Sequence, residues 1–499
     1  MRAISLVNKL EFEFSGNVVR NAIALGDLDN DGLNELIVGN SNGEVAVFKG
    51  QEKIQTISKL TFVSCVAIGD IMNQKKNILI IITADGWCHL YAAPEVDEQS
   101  EKSEKQSDEI DGQTQSTSGS GSLENLPTSD SSSNSVKSNK KNEKVPLVCI
   151  HMQRIPANSK SILLGDIDGD GTLEMVLGLT DRVVRSYKWV GNPHKPTLNI
   201  TDSNVPYEPS DKVLGKFVAL NKWECANQIG SITLHHSLDG KGLLLIAQPG
   251  GTFMRIDCSA DMDHCSTANN SQHSASASTN SQEHSISGNV DYQRLGISRM
   301  RNPNISTEIL GDLKCLHGPK DENGKRDLQQ GAMTGRPYAL ATLDGTIMLV
   351  QDEVILWAIA VDHQIFALTK LDVTGNGADD IVACSWDGQT YILDQEKNSV
   401  RFNLNEAVQA FESGYYNVSL DKPNETCLVY VTFKNKIIIF YDIPIKDLNC
   451  KKFEPNFDKL VEILIRKGDT REEAKEKIRN MDKKTKKELV EYLLYYVKP

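Results

Sequence analysis

Two stretches of the chain hold carboxylates at a spacing that can do chemistry. One runs Asp27-Leu28-Asp29-Asn30-Asp31-Gly32-Leu33-Asn34-Glu35, the other Asp166-Ile167-Asp168-Gly169-Asp170-Gly171-Thr172-Leu173-Glu174. Both read D-x-D-x-D-G-x-x-E. Carboxylates at the first, third and fifth positions turn inward, and the glycine after them permits a sharp bend. The main-chain carbonyl of Leu33 or Thr172 offers a further oxygen, and the final glutamate closes the cage. An all-oxygen cage suits a hard cation, calcium above all. The candidate ligands for a structural Ca2+ are therefore Asp27, Asp29, Asp31, Leu33 and Glu35, and Asp166, Asp168, Asp170, Thr172 and Glu174. Neither loop is an EF-hand, because Val38 and Leu177 stand where the bidentate glutamate would be and the flanks read as strands. The competing reading is a metal-free turn, since Asp and Asn bend the chain by accepting its own amides. A third loop, with Asp372, Thr374, Asn376, Gly377 and Asp380, has fewer charges and makes a weaker cage. Gly69-Asp70 and Gly311-Asp312 keep only its trace. These loops leave no open position for a substrate, so their expected role is stability.

The elements that position the loops follow from a repeat. Leu371 to Asp394 contains one unit: a polar loop, the apolar run Ile381 to Cys384, a turn at Trp386-Asp387-Gly388, and a second strand to Leu393. Asp-Gly between β-rich runs signals a hairpin whose two turn positions both take positive φ. Equivalent turns fall at Asn42-Gly43, Asp85-Gly86, Asp181-Arg182, Gly250-Gly251, Asp344-Gly345, Asp387-Gly388 and Asn435-Lys436. With polar insertions removed they recur about every 45 residues, the period of four-stranded propeller blades. The predicted fold is all-β: a seven-bladed β-propeller over residues 1–445, with a short C-terminal α-helical tail over 456–499. Closure buries each blade face on a neighbour. Ile4 to Phe14 has no earlier strand to pair with and is expected to supply the outer strand of the last blade. An open stack of sheets is the alternative.

Residues 93–144 and 259–290 are too polar to bury a core and are expected to be disordered insertions; 190–212 is a third polar insertion. The tail reads as three short helices. Thr470 with Glu473 and Thr485 with Glu488 fit capping boxes, and Leu489, Val490, Leu493, Leu494 and Val497 form an apolar stripe. That stripe fits either packing on the propeller rim or a partner.

Composition narrows the function. The net charge of −13 argues against a nucleic-acid binder. No apolar run reaches the ~18 residues of a membrane span, and the opening residues lack the apolar core of a signal peptide. The ten cysteines show no framework spacing and point to a reducing compartment. No catalytic constellation emerges. Asp85-Gly86-Trp87 and Ser385 to Gly388 resemble the Asp-box of sialidases, but the spacing is wrong and no paired acids with an arginine cluster are evident. His235-His236 reads as a strand-end pair, and His363 as a satisfied core histidine.

The pieces GDLDNDGLNELIVGNSNGEVAVF, RIPANSKSILLGDIDGDG and VDHQIFALTKLDVTGNGADDIVACSWDGQTYILD resemble the FG-GAP repeat of integrin α-subunit propellers. Within that class the chain is most similar to the family of integrin-alpha FG-GAP repeat-containing protein 2, over residues 4 to 441. The resemblance implies a non-enzymatic scaffold subunit of the KICSTOR assembly. Its partners would be a Kaptin-like propeller, a large scaffold subunit and a GATOR-type Rag GTPase inhibitor that the assembly recruits to lysosomes. That recruitment would restrain TOR kinase signalling under amino-acid starvation. The implied location is cytoplasmic, peripherally associated with the lysosome through the complex, with no membrane insertion. The serine-rich insertions and the tail have no match in the family. Two other classes stay open: an integrin-like calcium-binding adhesion propeller, and a propeller enzyme, which a channel lined by paired acids or arginines would support.

Overall fold

A computed structural model describes residues 1–94, 146–192, 214–258, 290–294, 304–315 and 335–443, apart from 238, 420 and 421, and scattered positions from 445 to 491. Among these, seven antiparallel sheets follow one another along the chain. We label the strands of each blade a to d from the axis outward. Blade one is Ile23–Gly26, Glu35–Gly39, Val45–Lys49 and Glu52–Ile57. Blade two is Val63–Gly69, Ile78–Thr83, Trp87–Ala92 and Val148–Arg154. Blade three is Ser159–Gly165, Glu174–Leu179, Val183–Gly191 and Gly215–Glu224. Blade four is Ile232–His236, Gly242–Gln248, Thr252–Asp257 and Val290–Arg294. Blade five is Thr307–Leu310, Tyr338–Thr342, Thr346–Gln351 and Val354–Ala360. Blade six is Ile365–Leu371, Asp380–Ser385, Gln389–Leu393 and Ser399–Asn403, with a further short strand at its outer edge. Blade seven is Val408–Tyr416, Glu425–Thr432 and Lys436–Tyr441, completed by Lys9–Glu13 from the start of the chain.

The ring is closed. Each strand a packs on strand a of the next blade, and that of blade seven packs on that of blade one. The apolar clusters sit between blades. Met175 and Leu177 of blade three pack with Ile80 of blade two. Leu428 and Tyr430 of blade seven meet Val382 and Ile392 of blade six, and Val429 and Ile437 of blade seven share a core with Leu36 and Val38 of blade one. Strand b is therefore covered on both faces. That explains why Glu35–Gly39, Ile78–Thr83 and Asp380–Ser385 are buried along their whole length and show no period-two pattern. By contrast, strand d of blade five alternates between exposed and half-buried residues, as a one-sided edge should.

The closing strand forms as expected from the repeat, with narrower limits. Lys9–Glu13 runs antiparallel to Lys436–Tyr441, pairing Leu10 with Ile439 and Phe12 with Ile437. Ile4 instead donates its N–H to Arg401 O of blade six.

The hairpin turns fall where the sequence placed them, but their conformation differs. In the turn Thr83-Ala84-Asp85-Gly86 the Gly86 N–H donates to Thr83 O, and only Gly86 has positive φ, at +90°. The same single left-handed residue ends the turns at Gly43, Arg182, Gly345, Gly388 and Asn435; Gly250 and Gly251 alone are both positive. The turns with a single positive φ are type I turns followed by a left-handed residue, not two-residue mirror-image turns. The aspartate before the glycine is there to accept a hydroxyl: Thr83 Oγ1 and Thr61 Oγ1 both donate to Asp85 Oδ1 at 2.6 Å.

The chain divides into two compact units, Ala3–Leu448 and a second formed by Asn449–Pro499 with Met1–Arg2. In the second, the helix Arg471–Arg479 carries the expected capping box. Glu473 N donates to Thr470 Oγ1 and Thr470 N donates to Glu473 Oε2. Its Ala474 and Ile478 pack with Val461. The second expected box is displaced: Thr485 lies within a helical stretch, and its N–H donates to Asp482 Oδ1, so Asp482 is the capping residue. The stripe from Leu489 to Val497 and most of the three polar insertions lie outside the described residues.

Candidate functional site

Antiparallel order gives the ring two unlike ends. Loops from strand a to b share one end with turns from c to d; turns from b to c share the other with the connections between blades. Both acidic loops are a-to-b loops. In blade one, Asp31 N and Gly32 N donate to the two oxygens of Asp27 at 3.0 Å, and Leu33 N donates to Asp31 Oδ1 at 2.9 Å. Glu35, 1% exposed, accepts Leu28 N at 2.8 Å. Blade three repeats the pattern: Gly169, Asp170 and Gly171 donate to Asp166, Thr172 N and Oγ1 donate to Asp170 Oδ1, and Ile167 N donates to Glu174. The structure thus brings Asp27, Asp29 and Glu35 together, and likewise Asp166, Asp168 and Glu174.

Each cage also holds a lysine that loop spacing did not reveal. Lys49, the last residue of strand c, places its ammonium 2.6 Å from Asp29, 2.7 Å from Asp31 and 2.8 Å from Glu35. Lys188, paired directly with Glu174 across strands b and c, does the same with Asp170 and with Glu174 at 3.2 Å. Burial opposes the charge on Lys49, but Asp29, Asp31 and Glu35 outweigh it and hold the amine above its ordinary range. Burial pushes the Glu35 carboxyl up to about 7 despite Lys49. These two shifts pull opposite ways on one ion pair. With three carboxylates around one ammonium, the lysine keeps its proton and Glu35 is the group that titrates.

The acidic loops are also stitched to their neighbours. Asn34 N donates to Asn424 Oδ1 and Asn424 Nδ2 to Gly32 O, joining blade seven to blade one. Asn77 N donates to Asn30 Oδ1, and Leu173 N to Asn73 Oδ1, joining blades one to two and two to three. The third loop has the same skeleton with less charge: Asn376 N and Gly377 N donate to Asp372, and Val373 N and Thr374 N to Asp380.

Four charged residues from separate parts of the sequence meet near the axis. Arg20, in the segment before blade one, forms an ion pair with Glu308 of blade five across the ring. Lys160 of blade three lies near both, and its amine is held low, by burial first and by Arg20, with Glu308 opposing. Glu412 of blade seven is pushed up to about 7 by burial, with Ser413 N and Arg20 opposing. Sequence spacing had no way to signal this set. Every member is engaged: Lys160 Nζ donates to Ile229 O and Ser413 N donates to Glu412. His235 and His236 do end a strand, with His236 bonded to Asp312. His363 is not a core residue: it is part-exposed and pairs with Asp387 at 2.6 Å.

The opposite, short-turn end presents apolar side chains. Trp386 and Phe433 occupy the same place in the b-to-c turns of neighbouring blades six and seven, and are 39% and 58% exposed. Trp386 is held by stacking on Phe366, with ring centroids 4.0 Å apart. Phe62, in the connection into blade two, is exposed at the same end.

A profile of integrin-alpha FG-GAP repeat-containing protein 2 matches residues 49–445, and an FG-GAP repeat matches 19–48, the blade that carries the first acidic loop. The chain belongs to this family. It is 33% identical over 473 residues to the KICSTOR complex protein ITFG2 of Mus musculus, covering 93% of this chain and 92% of that protein. The protein of the same name from Bos taurus is 33% identical over 452 residues, covering 89% and 72%. Among solved structures, BBS1N in complex with ARL6DN, soaked with lead, superposes with a TM-score of 0.50 at 11% identity, covering 89% of this chain and 98% of that one. That likeness concerns the propeller fold alone. Among the described residues no helix is long and apolar enough to cross a membrane.

Proposed function

We propose that this chain is a non-enzymatic scaffold subunit of a KICSTOR-type assembly that docks protein partners on the short-turn end of its ring. The observation that carries the proposal is the pair Trp386 and Phe433. Both are large, exposed and set at equivalent turn positions on adjacent blades, and stacking on Phe366 pre-organises the tryptophan. Rigid aromatic anchors of this kind dominate protein interfaces. The occupant is another subunit of the assembly named in the relatives, a Kaptin-like propeller or the large scaffold subunit. Through it the chain takes part in bringing a GATOR-type Rag GTPase inhibitor to the lysosome and restraining TOR kinase signalling when amino acids are scarce. The protein itself stays in the cytoplasm, peripheral to the membrane. The acidic loops serve the stability of the ring.

One observation favours a different class. Arg20, Glu308 and Glu412 near the axis are the kind of set a propeller enzyme would use. Their bonds to one another and to the main chain make them a structural plug in our reading. Co-expression of tagged chain with the other assembly subunits tests the scaffold. Trp386→Ala with Phe433→Ala should cut recovery of at least one subunit by an order of magnitude or more, since each buried aromatic anchor contributes about 2 kcal/mol. Full recovery by a correctly folded double variant would refute this docking face.

A further inference from the structure

The lysines in the acidic cages change what those loops are. A calcium ion in a D-x-D-x-D-G-x-x-E loop takes oxygens from the first, third, fifth, seventh and ninth positions. In blade one three of these, Asp29, Asp31 and Glu35, already grip the Lys49 ammonium within 2.8 Å. In blade three, Lys188 holds Asp170 and Glu174. Two cations cannot share that centre, so the residues present do not fit a calcium ion as they stand.

The repeats supply an internal control. Glu174 pairs with Lys188 across strands b and c. In blade one Leu36 pairs with Phe48, which sets Glu35 opposite Lys49. In blade six Ile381 pairs with Leu393, which sets Asp380 opposite Asp394. The third loop has Thr374 and Asn376 where the others have aspartates. Asp394 turns away to accept Glu396 N and Asn398 N. Lysine is therefore present in the two loops with the full carboxylate set and missing where two carboxylates are gone. A lysine placed for solubility or strand propensity has no reason to follow that count.

We infer that Lys49 and Lys188 are the resident cations of the two acidic loops, standing where a calcium ion would otherwise bind. A compact ammonium with three donors satisfies carboxylates much as a small cation does. It is covalently tethered, so it cannot be lost when the ion is scarce. The blades are then locked at any calcium concentration, and the ring's stability is insensitive to calcium signals. The lysines also account for the retention of the acidic motif without its metal.

The test is calcium uptake by the full chain, measured by equilibrium dialysis in millimolar calcium, beside thermal melts in calcium and in chelator. The wild type should melt at the same temperature in both, and Asp27→Asn or Asp166→Asn should leave its calcium uptake unchanged. Lys188→Met should gain one equivalent of calcium, lost again on adding Asp166→Asn, and its melt should become chelator-sensitive; Lys49→Met should do the same in blade one. Wild-type uptake that falls in Asp27→Asn or Asp166→Asn overturns the inference. So does a folded lysine variant, verified by its circular dichroism, that takes up no further calcium. Should a lysine variant fail to fold, the wild-type comparison with the aspartate variants still decides.

Discussion

Replacing Asp380 by asparagine should leave the protein almost unchanged in acid and make it more stable above neutrality. Asp380 is 1% exposed, and its Oδ2 accepts Val373 N at 3.0 Å and Thr374 N at 3.1 Å. Burial pushes the carboxyl up to about 7, with the Thr374 and Val373 amides opposing and Asp372 adding to the rise. The folded value lies above the unfolded one, so the native state binds the proton more tightly. Its contribution is complete below about pH 4 and is lost as pH rises through about 7. A shift of about three units corresponds to about 4 kcal/mol at high pH for this group alone. The asparagine oxygen can accept the same two amides without carrying charge. Denaturant melts of both proteins at about pH 4.5 and about pH 8 read the difference. Variant and wild type should agree within ~1 kcal/mol in acid, and the variant should lead by a few kcal/mol in base. A constant difference across pH, or a variant weaker in base, would refute the reasoning.

Three further outcomes follow from the packing. Gly388→Ala should cost about 2 kcal/mol or more, because φ is +86° and a Cβ would lie 2.4 Å from Glu406 O; a melt within error of wild type contradicts the turn geometry. Phe12→Ala should cost about 2 kcal/mol, since the ring of Phe12 packs 4.6 Å from Phe48 and helps fasten the closing strand. Unfolding by denaturant measures it, and an unchanged midpoint argues against closure by Lys9–Glu13. Arg20→Gln should cost about 2 to 3 kcal/mol by leaving Glu308 buried and unpaired, and Glu308→Gln in the same chain should recover part of it. Strict additivity in that double-mutant cycle would deny the cross-ring pair.

Local features were legible in the sequence and long-range ones were not. The strand-b runs and Asp-Gly turns recur on a fixed period because every blade repeats the same burial and the same left-handed residue. The D-x-D-x-D-G loops were equally plain, since each uses its carboxylates within a few residues. Lys49 and Lys188 escaped because they reach the cage from strand c, which register alone brings opposite Glu35 and Glu174. Arg20, Glu308, Lys160 and Glu412 come from four separate parts of the ring, and only closure gathers them. His363 sat in an apolar run and read as core, but it lies in the connection leading into strand a, where Asp387 can reach it. The turn φ values differed because a type I turn needs only its last residue left-handed, a distinction the Asp-Gly pair does not carry.

The docking face is the central claim, and hydrogen exchange on the chain alone and in the co-expressed assembly tests it most directly. The account predicts new protection in the turns around Trp386 and Phe433, with little change in the loops Asp27 to Glu35 and Asp166 to Glu174. Protection confined to the acidic-loop end, with the Trp386 and Phe433 turns exchanging as in the free chain, would contradict it.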